Sequence, residues 1–115
     1  MKEALQYAEK SIAIAEQHNL ISEKFYVNFN AANVAISISN YKQSLDYYNK
    51  ALAIAQDQNL GLATLADVTN GKGNALKRLG KYQEALENYK KCLALAKEAN
   101  YTNAINTVIA NLGEV

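Results

Sequence analysis

Tyr41 to Asn59 reads YKQSLDYYNKALAIAQDQN, and forty-one residues on, Tyr82 to Asn100 reads YQEALENYKKCLALAKEAN. Forty residues earlier, Met1 to Asn19 reads MKEALQYAEKSIAIAEQHN. Between the second and third copies Tyr41, Leu45, Tyr48, Lys50, Leu52, Ala53, Ala55 and Asn59 recur as Tyr82, Leu86, Tyr89, Lys91, Leu93, Ala94, Ala96 and Asn100. The shared apolar positions 45, 48, 52 and 55 are three and four apart, which is one face of an α-helix. Asp46 with Lys50, and Glu87 with Lys91, fall at i,i+4 on the opposite side. A period of this size marks a stack of repeated supersecondary units.

A second pattern lies between the copies. Aligning FYVNFNAANVAISISN (from Phe25), ADVTNGKGNALKRLGK (from Ala66) and NTVIANLGEV (from Asn106) superposes Val27, Val68 and Val108, and also Ala32, Gly73 and Gly113. The alternation predicts six helices, here called B0, A1, B1, A2, B2 and a short A3. In A1 the apolar face carries Val27, Ala31, Val34 and Ile38. Ala32, Gly73 and Gly113 sit inside helices, where glycine costs up to about 1 kcal/mol relative to alanine. Close helix crossing explains them, and Ser44 and Ala85 suit the same crossings. Gly80 falls where A2 turns sharply into B2, a left-handed cap position; the same place in the first unit is Ser39-Asn40, with Asn40 tolerant of that conformation.

Of the 115 residues, half are apolar and 20% charged, so the chain can bury a core. A formal net charge of +1 argues against a nucleic-acid arm or a polybasic membrane patch. The absence of proline suits a chain that is almost wholly helix. No apolar run approaches the roughly 20 residues of a membrane span, and no signal-peptide core opens the chain, so either a cytoplasmic location or a chain whose leader has been removed is expected.

LGKYQEALENYKKCL, Leu79 to Leu93, resembles the tetratricopeptide repeat at Gly80, Tyr82, Ala85, Tyr89, Cys92 and Leu93. Asn40 to Leu52 matches it with Ser44 in place of the alanine, and ANLGEV, from Ala110, looks like the opening of a further unit. The unit is longer than the family's ordinary one, and the extra length follows each B helix. It is similar to the longer subtype of kinesin light chains, Pins-like adaptors and bacterial peptide-sensing regulators. The resemblance implies an all-α, right-handed solenoid of antiparallel helix pairs. Its units would be a half unit over 1–20, full units over 21–60 and 61–101, and a half unit over 102–115. A single array is expected, a piece of a longer one. Lys72 departs from the family by replacing the usual helix-A leucine; its stem can lie along the core edge with the charge in water.

Nothing in the sequence assembles a catalytic constellation, and no cofactor or metal is expected. His18 is the single histidine, which removes a His-based triad or a His-rich metal site; it reads as an exposed helix-end residue. Cys92 aligns with Ser11 and Ala51 and reads as a small buried packing residue. Gly71-Lys72-Gly73 lacks the preceding strand, earlier glycine and following Ser/Thr of a phosphate loop. Asn100-Tyr101-Thr102 is a lone glycosylation sequon. Tyr41, Tyr48, Tyr82 and Tyr89 repeat at packing positions and read as core and helix-crossing residues.

In the family the A helices line the concave face. Position by position, the resemblance implies a peptide groove of Tyr26, Phe29, Asn30, Asn33, Ile36 and Ser37 from A1. It adds Asp67, Asn70, Gly71, Asn74, Lys77 and Arg78 from A2, and Thr107, Ala110, Asn111 and Glu114 from A3. An asparagine amide has two donors and an acceptor and can pair with both polar groups of a peptide unit. The alternative, amides on an ordinary solvated face, stays open. Lys77 and Arg78 would receive a ligand carboxylate or form a solvated face, and Tyr26, Phe29 and Ile36 would offer an apolar anchor or contact a neighbouring unit. The expected function is therefore non-catalytic binding of a protein or peptide, without nucleic acid or membrane. Self-assembly through the unpaired terminal helices, or service as a regulatory segment of a larger protein, are the alternatives.

Overall fold

A computed structural model of the chain describes residues 2–17 and 21–114, with side chains over 3–13 and 23–113. His18 and the side chain of Glu114 lie outside the described residues. Among the described residues six helices follow one another: α1 (Lys2–Gln17), α2 (Ile21–Ser37), α3 (Tyr41–Asp57), α4 (Leu62–Arg78), α5 (Tyr82–Glu98) and α6 (Thr102–Glu114). They are the B0, A1, B1, A2, B2 and A3 of the sequence, and no strand occurs among the described residues. Each helix packs on the next, and α4 also touches α2 and α6, so α2, α4 and α6 form one row and α1, α3 and α5 the other.

The four turns from α2 to α6 share one device. The N–H groups of Asn40, Leu60, Lys81 and Tyr101 donate to the carbonyls of Ala35, Ala55, Leu76 and Ala96 at 2.8–3.0 Å. The preceding N–H groups of Ser39, Asn59, Gly80 and Asn100 donate to Ile36, Gln56, Lys77 and Lys97 at 3.0–3.3 Å. This doubly bonded cap satisfies carbonyls that the helix end would orphan, and it requires a left-handed residue at its centre. That residue is Ser39 (φ 64°), Asn59 (52°), Gly80 (79°) or Asn100 (55°). Gly80 is as expected, but in the first unit Ser39 takes the left-handed place, while Asn40 has φ −93°. The repeat is forty-one residues at this point, which aligns Ser39 with Gly80. A left-handed serine costs roughly 1–2 kcal/mol, and glycine returns about 0.5–1 of that as chain entropy. Ser39→Gly is therefore expected to stabilise by about 0.5–1 kcal/mol, visible as a few degrees in a circular-dichroism melt.

Two adjoining cores fill the space between the rows. The first gathers Phe25, Ala31, Ala32, Ala35, Tyr47, Tyr48, Ala51, Ala55, Val68 and Ala75. The second gathers Ala66, Leu76, Ala85, Tyr89, Cys92, Ala96 and Val108, and Leu45 packs against both. The abundance of alanine brings backbones close, and the tyrosines fill what the alanines leave. Ser44 is fully buried at a close crossing, its hydroxyl donating to the Ala32 carbonyl at 2.9 Å. Cys92 is likewise buried, its thiol 3.1 Å from the Ala66 carbonyl, and burial pushes the thiol pKa up to about 11.

Several expectations shift at this level. The buried face of α2 centres on Phe25, Asn28, Ala32 and Ala35, with Val27 and Val34 only half-buried. Gly113 meets nothing within 4 Å of the position a Cβ would take. Tyr48 and Tyr89 are core residues, but Tyr41 is half-buried and Tyr82 is 59% exposed. Tyr41 lies beside Lys77 and Arg78 at the end of α4.

Candidate functional site

The end of α2, the turn after it, the start of α3, the second half of α4 and Asn111 of α6 enclose a hollow of about 470 Å³. Ile36, Ser37, Ser39, Tyr41, Asn74, Lys77, Arg78 and Asn111 line it. Six of the expected groove residues thus converge from three helices: Ile36, Ser37, Asn74, Lys77, Arg78 and Asn111. The hollow is mainly polar, with Ile36 its aliphatic side and Lys77 and Arg78 its cationic side.

Two amides are oriented from below. The Tyr48 hydroxyl donates to Asn33 Oδ1, and the Tyr89 hydroxyl donates to Asn74 Oδ1 at 2.6 Å. Both pairs span 15 residues, so the same bond recurs in each full unit. Burial pushes the Tyr48 hydroxyl up to about 12, which keeps it a neutral donor. The carbonyl of each asparagine is consequently used inside the protein, and the amide N–H₂ is the part left for the open side. An amide fixed this way offers donors, rather than the donor and acceptor together that free asparagines would supply. Across the row, Asn111 Nδ2 donates to Asn70 Oδ1 at 2.9 Å, tying α6 to α4.

The remaining candidates fall outside the hollow. Asn30 is exposed on α2, and Tyr26 is 60% exposed with its ring edge-on to Phe25. Phe29 is turned onto the core, stacked on Phe25 and edge-to-face with Tyr48, because α3 lies directly over it. Of the expected apolar anchor only Ile36 reaches the hollow. Gly71 is buried beneath the Tyr48 ring and presents no groove surface. Thr107 and Ala110 are exposed on α6, and the Thr107 hydroxyl donates back to the Asn103 carbonyl.

Asp67 lies in the first half of α4, where its carboxyl accepts from the Tyr101 hydroxyl. Burial raises its pKa above the ordinary value, and the Tyr101 bond opposes that shift. A raised carboxyl pKa favours the folded state below about pH 4 and loses that benefit as pH climbs through the folded value. Asp67→Asn removes the titration. The wild-type melting temperature is therefore expected to fall relative to Asp67→Asn as pH rises from about 4 to 6.

Ser39 and Tyr41 line the hollow but were not expected there. Their signal was the turn itself, since a three-residue link brings the end of an A helix and the start of its B helix to one place.

This arrangement of paired helices has known relatives. The tetratricopeptide repeat sequence model matches residues 25–98. The chain belongs to the tetratricopeptide repeat family. Among solved structures, the N-terminal domain of stress-induced protein-1 (STI-1) from C. elegans superposes with a TM-score of 0.61 at 11% identity, over 92% of this chain and 94% of that one. At that identity the likeness concerns the fold alone. No curated protein sequence matches the chain. Tetratricopeptide repeats are in general protein–protein interaction modules rather than catalysts. No helix among the described residues is long and apolar enough to cross a membrane.

Proposed function

We infer that this chain holds an extended peptide of a partner protein along the row α2, α4 and α6. The observation that carries the reading is the convergence of Ile36, Asn74, Lys77, Arg78 and Asn111, from three helices, on one hollow. Amide donors held by buried tyrosines suit peptide carbonyls whatever the side chains attached to them. Lys77 and Arg78 suit a carboxylate, from a side chain or a chain end, and Ile36 suits an aliphatic residue beside it. The seventeen-residue helices support placing the chain with the long-unit subtype. Self-association has in its favour the exposed Tyr7 on α1 and Ile109 on α6.

Asn74→Ala is a poor test, because it also strips Tyr89 of its acceptor. Charge reversal at the rim avoids this. A peptide selected by phage display on the immobilised chain is expected to lose at least tenfold in affinity, about 1.4 kcal/mol or more, to the double variant Lys77→Glu, Arg78→Glu. Isothermal titration reads the loss and circular dichroism checks that helicity stays. Unchanged affinity would count against the reading.

A further inference from the structure

The repeat places equivalent seams between successive outer helices, and the two full seams are built differently. Between α1 and α3 the seam holds a cleft of about 250 Å³ lined by Glu9, Ile12, Ala13, Tyr47 and Lys50. Tyr47, 7% exposed, forms one wall of it. Gln43 Nε2 stitches the seam by donating to Glu9 and to the Tyr47 hydroxyl at 3.4 Å, and Lys50 stands 5.7 Å over the Tyr47 ring. Acid and base are balanced there.

Between α3 and α5, on the face away from the hollow, the same seam is an open trough of about 460 Å³. Leu52 and Gln56 of α3, Leu65, Thr69 and Lys72 of α4, and Asn88, Lys91, Ala94 and Leu95 of α5 line it. Three exchanges between equivalent positions open it and charge it. Tyr47 is replaced by Asn88, whose Nδ2 folds back onto the Glu84 carbonyl at 2.9 Å instead of spanning the gap. Ala31, fully buried in α2, is replaced by Lys72, half-buried in α4. Glu9, the acid of the first seam, is replaced by Asn49, so Lys91 keeps the lysine of the first seam without its acid. The lining holds two cations and no acid, and neither lysine has an ion-pair partner among the described residues.

We propose that this trough is a second binding site, one that takes an acidic peptide segment of a partner protein with leucine-like side chains among its carboxylates. Its volume is in the range of roughly 300–1,000 Å³ typical of ligand sites. Leu52, Leu65, Ala94 and Leu95 give an aliphatic floor. The Thr69 hydroxyl in that floor is already bonded to the Leu65 carbonyl at 2.6 Å, so an apolar side chain laid over it strands no polar group. Lys72 from α4 and Lys91 from α5 meet carboxylates along one segment, and the Gln56 and Asn88 amides meet its backbone. An open trough with charge along its length fits a peptide better than a single-headed lipid. The site is independent of the hollow along α2, α4 and α6, and its lysines are not those of that hollow.

The probe is an acetylated, amidated peptide of repeating Asp-Leu-Glu-Glu-Leu, titrated into the ¹⁵N-labelled chain. Shifts are expected at Leu65, Thr69, Lys72, Asn88, Lys91 and Leu95, and a peptide with lysine for every acid is expected to leave them unmoved. Asn88→Tyr, which copies the filled seam, is expected to weaken binding at least tenfold while the melting temperature holds or rises. Lys72→Gln with Lys91→Gln is expected to weaken it several-fold, and Lys77→Glu with Arg78→Glu to leave it unchanged. No shift at about 1 mM peptide, shifts confined to the α2, α4 and α6 row, or full binding by Asn88→Tyr would each overturn the proposal. Equal shifts from dodecanoate without peptide binding would also overturn it, by assigning the trough to a lipid.

Discussion

Gly71→Ala and Gly73→Ala each lower the stability of the chain by about 2 kcal/mol, and Gly113→Ala raises it. A Cβ on Gly71 would stand 2.5 Å from Tyr48 Cε1 and 2.6 Å from Cζ, and one on Gly73 would stand 2.7 Å from Tyr89 Cε1. Two positions apart is about 200° around a helix, so the glycines face opposite ways and α4 is held between a tyrosine ring from α3 and one from α5. The rings have no room to withdraw. Tyr48 is 2% exposed, braced by Phe29 and bonded to Asn33; Tyr89 is fully buried and bonded to Asn74. Overpacking costs roughly 1–3 kcal/mol, occasionally more, contacts of 2.5–2.7 Å place these sites at the upper end, and alanine's better helix propensity returns about 1. The net should appear as a drop of about 8–10 °C in melting temperature for a chain of this size. Sliding α4 away from one ring drives it into the other, so the double variant should lose at least the sum. At Gly113 no atom lies within 4 Å, and only the propensity gain of up to about 1 kcal/mol remains.

Tyr89→Ala should cost more still, about 3–5 kcal/mol, the usual range for emptying an aromatic site in a core. Against a total stability of roughly 5–15 kcal/mol, such a variant is marginal at physiological temperature. Tyr89→Phe separates the two contributions of the side chain. It keeps the ring on Gly73 and loses the bond to Asn74, about 1 kcal/mol, since the half-exposed Asn74 carbonyl can turn to water. Coupling provides the sharper check. In the absence of the Tyr89 ring the new methyl of Gly73→Ala has nothing to strike, so the pair Gly73→Ala, Tyr89→Ala should be no less stable than Tyr89→Ala alone. Urea unfolding of the four proteins yields the interaction energy directly, and simple additivity would show that ring and glycine do not meet.

Much of this was legible in the repeat. Helix identity follows from apolar spacing, Cys92 from its alignment with Ser11 and Ala51, and the close approach at Gly73 from the cost of an interior glycine. What escaped was decided by neighbours distant in sequence. Gly71 aligns with Asn30, and nothing local to α4 says that a ring from the preceding unit lies against it. In the first unit Ala8 stands where Tyr48 stands in the second, so Asn30 receives no ring and need not be small. The asparagines were found, but their bonds to the tyrosines were not, although the interval from Asn33 to Tyr48 repeats from Asn74 to Tyr89. Phe29 was expected at the groove because the family's groove positions were carried onto it, and a position in a repeat does not say which helix covers the side chain there. Tyr41 and Tyr82 share one motif position yet differ in exposure, since Lys77 and Arg78 of α4 stand beside Tyr41.

The most direct test of the account is ¹⁵N chemical-shift mapping of the intact chain with the display-selected peptide. The amides of Ile36, Asn74, Lys77, Arg78 and Asn111 are expected to move together, as one patch across α2, α4 and α6, at a common affinity. Shifts confined to α1, α3 and α5, with that row unmoved at saturation, would contradict it.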